Sequence, residues 1–316
     1  MNLAIEQNDN KMKQEVIFLS EGLELVGHLY RPADYQPEKR YPAIVVSHPF
    51  TGVKEQVAGR YAERLAQDGY LALAFDTAYQ GESEGLPRHL KTPHSRAEGI
   101  KSAVSYLSNL PDVDPGRIGA LGIAAGGGYA VFTARTDPRI QAVATVNAVC
   151  QGSLLRDGLN GSRSSEQLQG LLAAAAEDRT AQDRGEAAAT RSALAETAQA
   201  AAEQPQRLLR EAYDYYRTPR GHHPNAENRF VLSGLDALAG FDAFARIDML
   251  AQRPLLMIAG ADADTRYFSE RAIAAAAEPK ELCLIAWASH FDLYDREPCV
   301  AAAAAKLQAF FDLSLA

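Results

Sequence analysis

Gly119-Ala120-Leu121-Gly122-Ile123-Ala124-Ala125-Gly126-Gly127-Gly128-Tyr129-Ala130 is the stretch on which the reading turns. An apolar run at 117–122 enters a cluster of glycines, and a helix-like pattern follows over 127–136. Small residues at 122 and 126 suit a tight strand-to-helix turn in which the helix packs close to neighbouring strands. The spacing is that of G-x-S-x-G, whose central side chain stands above the sheet as a nucleophile. Here the central residue is Ala124, and a methyl group can neither attack a carbonyl nor form an acyl-enzyme. A dinucleotide turn, G-x-G-x-x-G, fails in each register tried, with Leu121, Ala124 or Val131 where a glycine is required.

Outward from this turn, strands and helices alternate. Residues 15–30 read as two short strands around Glu21-Gly22. Continuous apolar runs follow at 43–48, 71–76, 117–122, 142–147, 254–260 and 281–287, as in parallel strands covered on both faces. Helix-like patterns fall between them at 55–69, 94–110, 127–136, 267–278 and 298–313. This alternation predicts an α/β fold, a mostly parallel eight-stranded sheet with helices on both faces. One segment breaks it. From 151 to 228 there is no convincing strand, and 165–216 is rich in Ala, Glu, Gln and Arg with apolar positions at helical spacing. The expectation is two or three helices inserted after the sixth strand as a lid, splitting the core into residues 1–150 and 229–316. Insertions at this edge of such a sheet cover the crevice where ligands bind.

The remaining chemistry is found by chain order. The third strand runs into Ser47-His48-Pro49-Phe50-Thr51-Gly52. Backbone N–H groups of Phe50 and Ala125 are the expected oxyanion-hole donors, and they need no particular side chain. His48 is expected to orient that loop and not to act as a base. The acid should follow the strand at 254–260, where Asp264 is the first choice and Asp262 the second, although either could cap the next helix. The base should follow the last strand, which selects His290 in Ala288-Ser289-His290-Phe291-Asp292. Tyr213, Tyr215, Tyr216 and Trp287 could line an aromatic pocket or serve packing; for Trp287, at the end of an apparent buried strand, packing is expected.

Composition narrows the class. The 316 residues carry 32 Lys+Arg against 40 Asp+Glu, a net charge of −8, with no basic stripe or tail. That argues against a nucleic-acid backbone as partner. Cys150, Cys283 and Cys299 are odd in number and form no CxxC, and no His/Cys/Asp cluster has ligand spacing, so neither a disulfide framework, a metal nor a cofactor is expected. No apolar run is long enough to span a bilayer and the N-terminus shows no signal-type apolar region, so a cytoplasmic location is the default. Oligomeric state is not legible, and a homodimer stays admissible.

The stretches HPFTGVKEQ (48–56), DTAYQGESEG (76–85), GALGIAAGGGYA (119–130), YYRTPRG (215–221), FDAFARID (241–248), LLMIAGADADTRYFSE (255–270) and ASHFDLYD (288–295) resemble the dienelactone-hydrolase-like branch of the α/β-hydrolases, which is similar to the fungal polyketide transferases and thiohydrolases. The resemblance covers nearly the whole chain outside 151–210. It implies the α/β-hydrolase fold and acyl transfer on a small ester, thioester or lactone, a carrier-protein or coenzyme A thioester among the candidates. Members with this turn carry Cys, or sometimes Ser, where this chain has Ala124. A deliberate Cys→Ala or Ser→Ala substitution and a natural loss both fit, and a retained Asp264–His290 pair would favour the first. The alternatives are a non-catalytic ligand-binding protein and a cyclase or rearrangement catalyst working through His290.

Overall fold

The computed structural model describes residues 12–316, so the N-terminal stretch read for a signal segment lies largely outside the described residues. The strands are β1 (Lys13–Ser20), β2 (Leu23–Tyr30), β3 (Tyr41–Ser47), β4 (Leu71–Phe75), β5 (Val113–Ile123), β6 (Ile140–Val146), β7 (Thr190–Ser192), β8 (Arg229–Val231), β9 (Leu255–Gly260) and β10 (Lys280–Ile285). Eight of them form one sheet in the order β1-β2-β4-β3-β5-β6-β9-β10. β1 and β2 form an antiparallel hairpin, β2 meets β4 antiparallel, and every later pair is parallel. The mostly parallel eight-stranded sheet expected from the strand–helix alternation is thus present, as the resemblance to the α/β-hydrolases also implies.

The central strands explain their own burial. β4 and β9 are buried at every position, and β3 at all but one. Such strands must be apolar on both faces, because parallel crossovers place helices above and below them. α1 (Gly59–Gln67) and α11 (Glu297–Ser314) pack together against the sheet, as do α2 (Pro93–Ser108) and α3 (Ala125–Ala134), while α9 (Arg266–Ala275) lies on β9 and β10.

Three expectations need correction. The run at 281–287 is not covered on both faces: β10 is the sheet edge and is only half buried. Trp287 lies beyond its end, 87% exposed at φ 61°, in the turn that leaves the strand, and it packs nothing. The excursion after β6 also runs further than 228, since the sheet resumes only at Leu255. It holds α4 (Gln151–Asp157), α5 (Ser165–Asp183), α6 (Ala198–Ala202), α7 (Arg207–Arg217) and α8 (Leu235–Ala239), and it includes a two-stranded antiparallel ribbon, β7 with β8. Three-residue strands show no period-2 signal, so nothing marked them in advance.

The insert has its own small core of Ala175, Leu235 and Leu238, with Leu155, Leu171, Phe230 and Phe50 packed against it. Buried Asp178 ties α5 to the rest, accepting from Ala189 N (2.7 Å), Ser233 N (2.9 Å) and Gln182 Nε2 (2.9 Å). Among the described residues, no helix is long and apolar enough to cross a membrane.

Candidate active site

The turn between β5 and α3 has the conformation its sequence implies. Ala124 stands at φ 49°, ψ −118°, a backbone state disfavoured for a residue bearing a Cβ. It is held there by hydrogen bonds from Ala124 N to Val146 O, and from Gly127 N and Val149 N to Ala124 O, each 2.9 Å. The flanking glycines are a steric necessity. A Cβ on Gly122 would lie 2.3 Å from Gly126 O, and one on Gly126 would lie 2.2 Å from Ser47 O. Ala125 opens α3, so its N–H belongs to the first helical turn, which lacks intrahelical acceptors.

The loop at 48–52 is clamped from several sides. His48 Nδ1 donates to Pro49 O (2.7 Å), and Arg96 Nη2 donates to His48 O (2.6 Å). Asn228 Nδ2 reaches Thr51 O (3.2 Å), and Gln80 Nε2 donates to Gly52 O. Burial, with Arg96 beside it, drives the His48 pKa far below its ordinary value. The ring is therefore a neutral strut for this loop. None of Arg96, Gln80 or Asn228 had a sequence signal, because each acts from a distant segment on backbone atoms.

His290 is 4% exposed in the loop after β10. Asn147, just past β6, donates from Nδ2 to His290 O (2.8 Å) and accepts from Gly260 N at Oδ1 (2.9 Å). This amide pins the His290 loop over the ends of β6 and β9, next to the Ala124 turn.

The acid is where the structure departs from expectation. His290 Nδ1 meets Thr265 Oγ1 at 2.6 Å, and Nε2 meets Tyr294 OH at 3.1 Å. Asp264 is not its partner: Oδ2 accepts instead from Leu208 N (2.9 Å) at the start of α7. Asp262 is exposed, and Asp292 accepts from Ser289 N (2.8 Å). The cause is local. Residues 262–265 wind into α9, so successive side chains point in different directions, and Thr265, not Asp264, faces inward. The unpaired N–H groups of α7 then attract the Asp264 carboxylate. Burial alone, with no neighbouring carboxylate, pushes the His290 pKa down to about 3. The imidazole is a neutral base without a charged orienter. Thr265, Tyr294 and Asn147 are the site residues that chain order missed.

A cavity of about 270 Å³ lies within the insert, lined by Leu154, Leu208, Leu235 and Leu238 among others, with Phe50 the one lining residue from outside it. Larger hollows, of about 640 and 620 Å³, lie over the outer side of α5 and beside Arg60 and Arg220, away from these strand ends. Among the described residues one acidic set has ligand-like spacing, Glu55, Asp76 and Glu82. The buried Lys54 ammonium already occupies its centre, 2.8 Å from Glu55 and 2.9 Å from Asp76 and also bonded to Glu82. Burial opposes that charge, but the carboxylates outweigh it and hold the Lys54 pKa above normal. Cys150, Cys283 and Cys299 are free thiols. Cys150 caps α4, accepting from Ser153 N (3.4 Å), and also accepts from Ala243 N (3.2 Å), with no imidazole bonded to it.

Residues 21–237, more than half of the chain, match the family of X-Pro dipeptidyl-peptidases (S15 family). The chain belongs to this α/β-hydrolase family. It is 37% identical over 289 residues to the uncharacterised protein YcjY of Escherichia coli (strain K12), covering 91% of this chain and 93% of that one. It is 38% identical over 278 residues to the uncharacterised protein PA2218 of Pseudomonas aeruginosa (87% and 74% covered). The crystal structure of PA2218 superposes with a TM-score of 0.89 at 35% identity, each chain covered completely. A thiohydrolase of Aspergillus aculeatus, aneE, is 37% identical over 142 residues, 45% of this chain and 43% of its own. A dienelactone hydrolase from Anabaena variabilis shares the fold, with a TM-score of 0.54 at 17% identity, covering 96% of this chain and all of that one.

Proposed function

We propose that this S15-family chain has an acyl-transfer site for a small ester or thioester, in which the position of the attacking atom is Ala124. The strained turn at Ala124, set between the clamped Phe50 loop and a buried neutral His290, is the observation that carries this reading. A side chain at 124 bearing a nucleophile would attack the carbonyl carbon and pass its proton to His290. The N–H groups of Phe50 and Ala125 would hold the oxyanion. Collapse would expel the thiol or alcohol, which takes the proton from His290, and water or a second acceptor would then release the acyl group. With Ala124 in place the covalent step is absent, and binding plus the oxyanion hole remain.

Thr265 on Nδ1 favours cysteine over serine as the matching nucleophile. A hydroxyl orients imidazole but lends no negative charge to an imidazolium, and a thiol needs less help, since its pKa of roughly 8.5 lies far below that of an alcohol. The aneE relative, a thiohydrolase by name, adds weight to a thioester substrate. The insert, which supplies every wall of that cavity except Phe50, is proposed as the lid. Asp264 does not pair with His290, so a deliberate substitution at 124 is no longer favoured over a natural loss. The same fact favours a second reading, a non-covalent binding protein whose imidazole is capped on both nitrogens by hydroxyls.

The test is turnover of a matched acyl thioester and nitrophenyl ester by the chain, its Ala124→Cys variant and its Ala124→Ser variant. The cysteine variant should exceed the parent by at least about 10³-fold on the thioester, with serine well behind. Equal inertness of all three, with saturable binding of the same esters, would sink the acyl-transfer reading in favour of the binding protein.

A further inference from the structure

The apolar cavity that Phe50 lines is also lined by Ser162 and Arg163. Arg163 also borders a polar hollow of about 400 Å³ with Asp157, Tyr267 and Arg271. It borders another of about 550 Å³ with Gln167, Arg191 and Gln206. One guanidinium therefore stands where three spaces meet, with two more beside it, and Asp157 is the one carboxylate lining them. The chain as a whole carries a net charge of −8, so a local excess of arginine runs against its composition.

None of the three arginines joins an ion pair among the described residues. Arg163 Nη1 donates to the Leu154 (3.2 Å) and Leu155 carbonyls at the end of α4. Partial burial lowers its pKa, and no carboxylate offsets that cost. The Arg271 guanidinium lies over the Tyr267 ring, 4.9 Å from its centroid, which holds it at the rim. A partly desolvated guanidinium without a counter-ion is an open anion site, because its fork matches the two oxygens of a carboxylate or the face of a phosphate.

Phe50, from the loop proposed to hold the oxyanion, and Arg163 thus line one leucine-walled cavity. We infer that the arginine mouth binds the anionic end of a ligand whose carbonyl sits at the Phe50 loop and whose apolar middle fills the cavity. The inference rests on the acyl-site reading above and adds its specificity. The anion could terminate the acyl chain as a carboxylate, or it could be the phosphate of a phosphopantetheine-type leaving group. The chemistry recognised at Arg163 is the same.

The chain itself suits the measurement, because Ala124 forms no covalent adduct. Calorimetric titration would compare methyl half-esters of hexanedioic, octanedioic and decanedioic acids with methyl esters of the matching monoacids. A second pair would be the octanoyl thioesters of pantetheine and of phosphopantetheine. At least one anionic member should bind ten-fold or more tightly than its neutral counterpart, with the advantage shrinking in high salt. Arg163→Gln should abolish that advantage, and Arg271→Gln or Arg191→Gln should reduce it while leaving the affinity for neutral ligands unchanged. The last two sites are exposed, so they report even if Arg163→Gln disturbs α4. A gain confined to the dicarboxylates assigns the anion to the acyl chain, and one confined to the phosphate pair assigns it to the leaving group. Equal affinity within every pair overturns the inference and leaves the acyl site standing. Absence of binding by any ester overturns both.

Discussion

At His290, a single residue step decides which side chain meets the imidazole of the proposed site. Chain order selects it as the histidine after the last strand, and the structure buries it beside the Ala124 turn. Chain order also selects the acidic segment, yet the inward side chain is Thr265, one residue on from Asp264. Sequence could not show this, because which residue of a strand-to-helix turn faces inward depends on where the helix begins, a matter of degrees of rotation. The assignment can be checked in the Ala124→Cys background. Thr265→Val keeps the shape and removes the hydroxyl from Nδ1, so kcat should fall about 10–100-fold with KM little changed. Asp264→Asn should leave kcat within about two-fold and instead cost roughly 0.5–1 kcal/mol of stability through the weakened end of α7. The reverse pattern would restore Asp264 as the catalytic acid.

At the scale of elements, the turn from β5 to α3 is the most tightly specified part of the chain. Its glycines are fixed by backbone approach, which is why the pattern survives in the sequence with no nucleophile at its centre. Gly126→Ala should destabilise by at least about 2 kcal/mol, since its Cβ would meet Ser47 O at 2.2 Å, a backbone atom that cannot swing aside. Gly170, inside α5, has nothing within 4 Å of an added Cβ, so Gly170→Ala should stabilise by about 0.5–1 kcal/mol. Urea unfolding of the two variants beside the parent measures both, and similar effects would contradict the steric account. The insert was legible as helices from its 3.6-residue spacing. Its β7–β8 ribbon and its Asp178 anchor were not, because both join segments about 40–55 residues apart in sequence.

Across the whole molecule, burial of neutral histidines couples stability to pH. Burial lowers the pKa of His290 to about 3 and that of His28, also beside Lys13 and Lys54, to about 4, and it drives His48 far down with Arg96 adding to the effect. In the unfolded chain each would titrate near 6.5. Below that pH the unfolded state takes up protons the folded state refuses, so stability is full above about pH 6.5 and falls as pH drops toward 3–4. Each histidine contributes up to about 1.4 kcal/mol per pH unit in that window. Unfolding free energy measured at pH 7.5 and 5.5 should therefore drop, and drop less in His28→Gln; a flat profile would mean that these rings are hydrated. The composition did not announce this, since a histidine's burial is a property of the packed sheet and not of its neighbours in the chain. What could be read in one dimension was local or ordinal: apolar runs long enough for covered strands, glycines where backbones touch, Ala124 at the centre of the turn, and the order of loop, turn, acid segment and base. Periodicity and spacing encode these directly. Thr265 facing His290 in place of Asp264, the exposure of Trp287, Asn147 bridging two strands and the arginines gathered at the cavity mouth arose from folding, because each depends on the relative placement of segments that share no local signal.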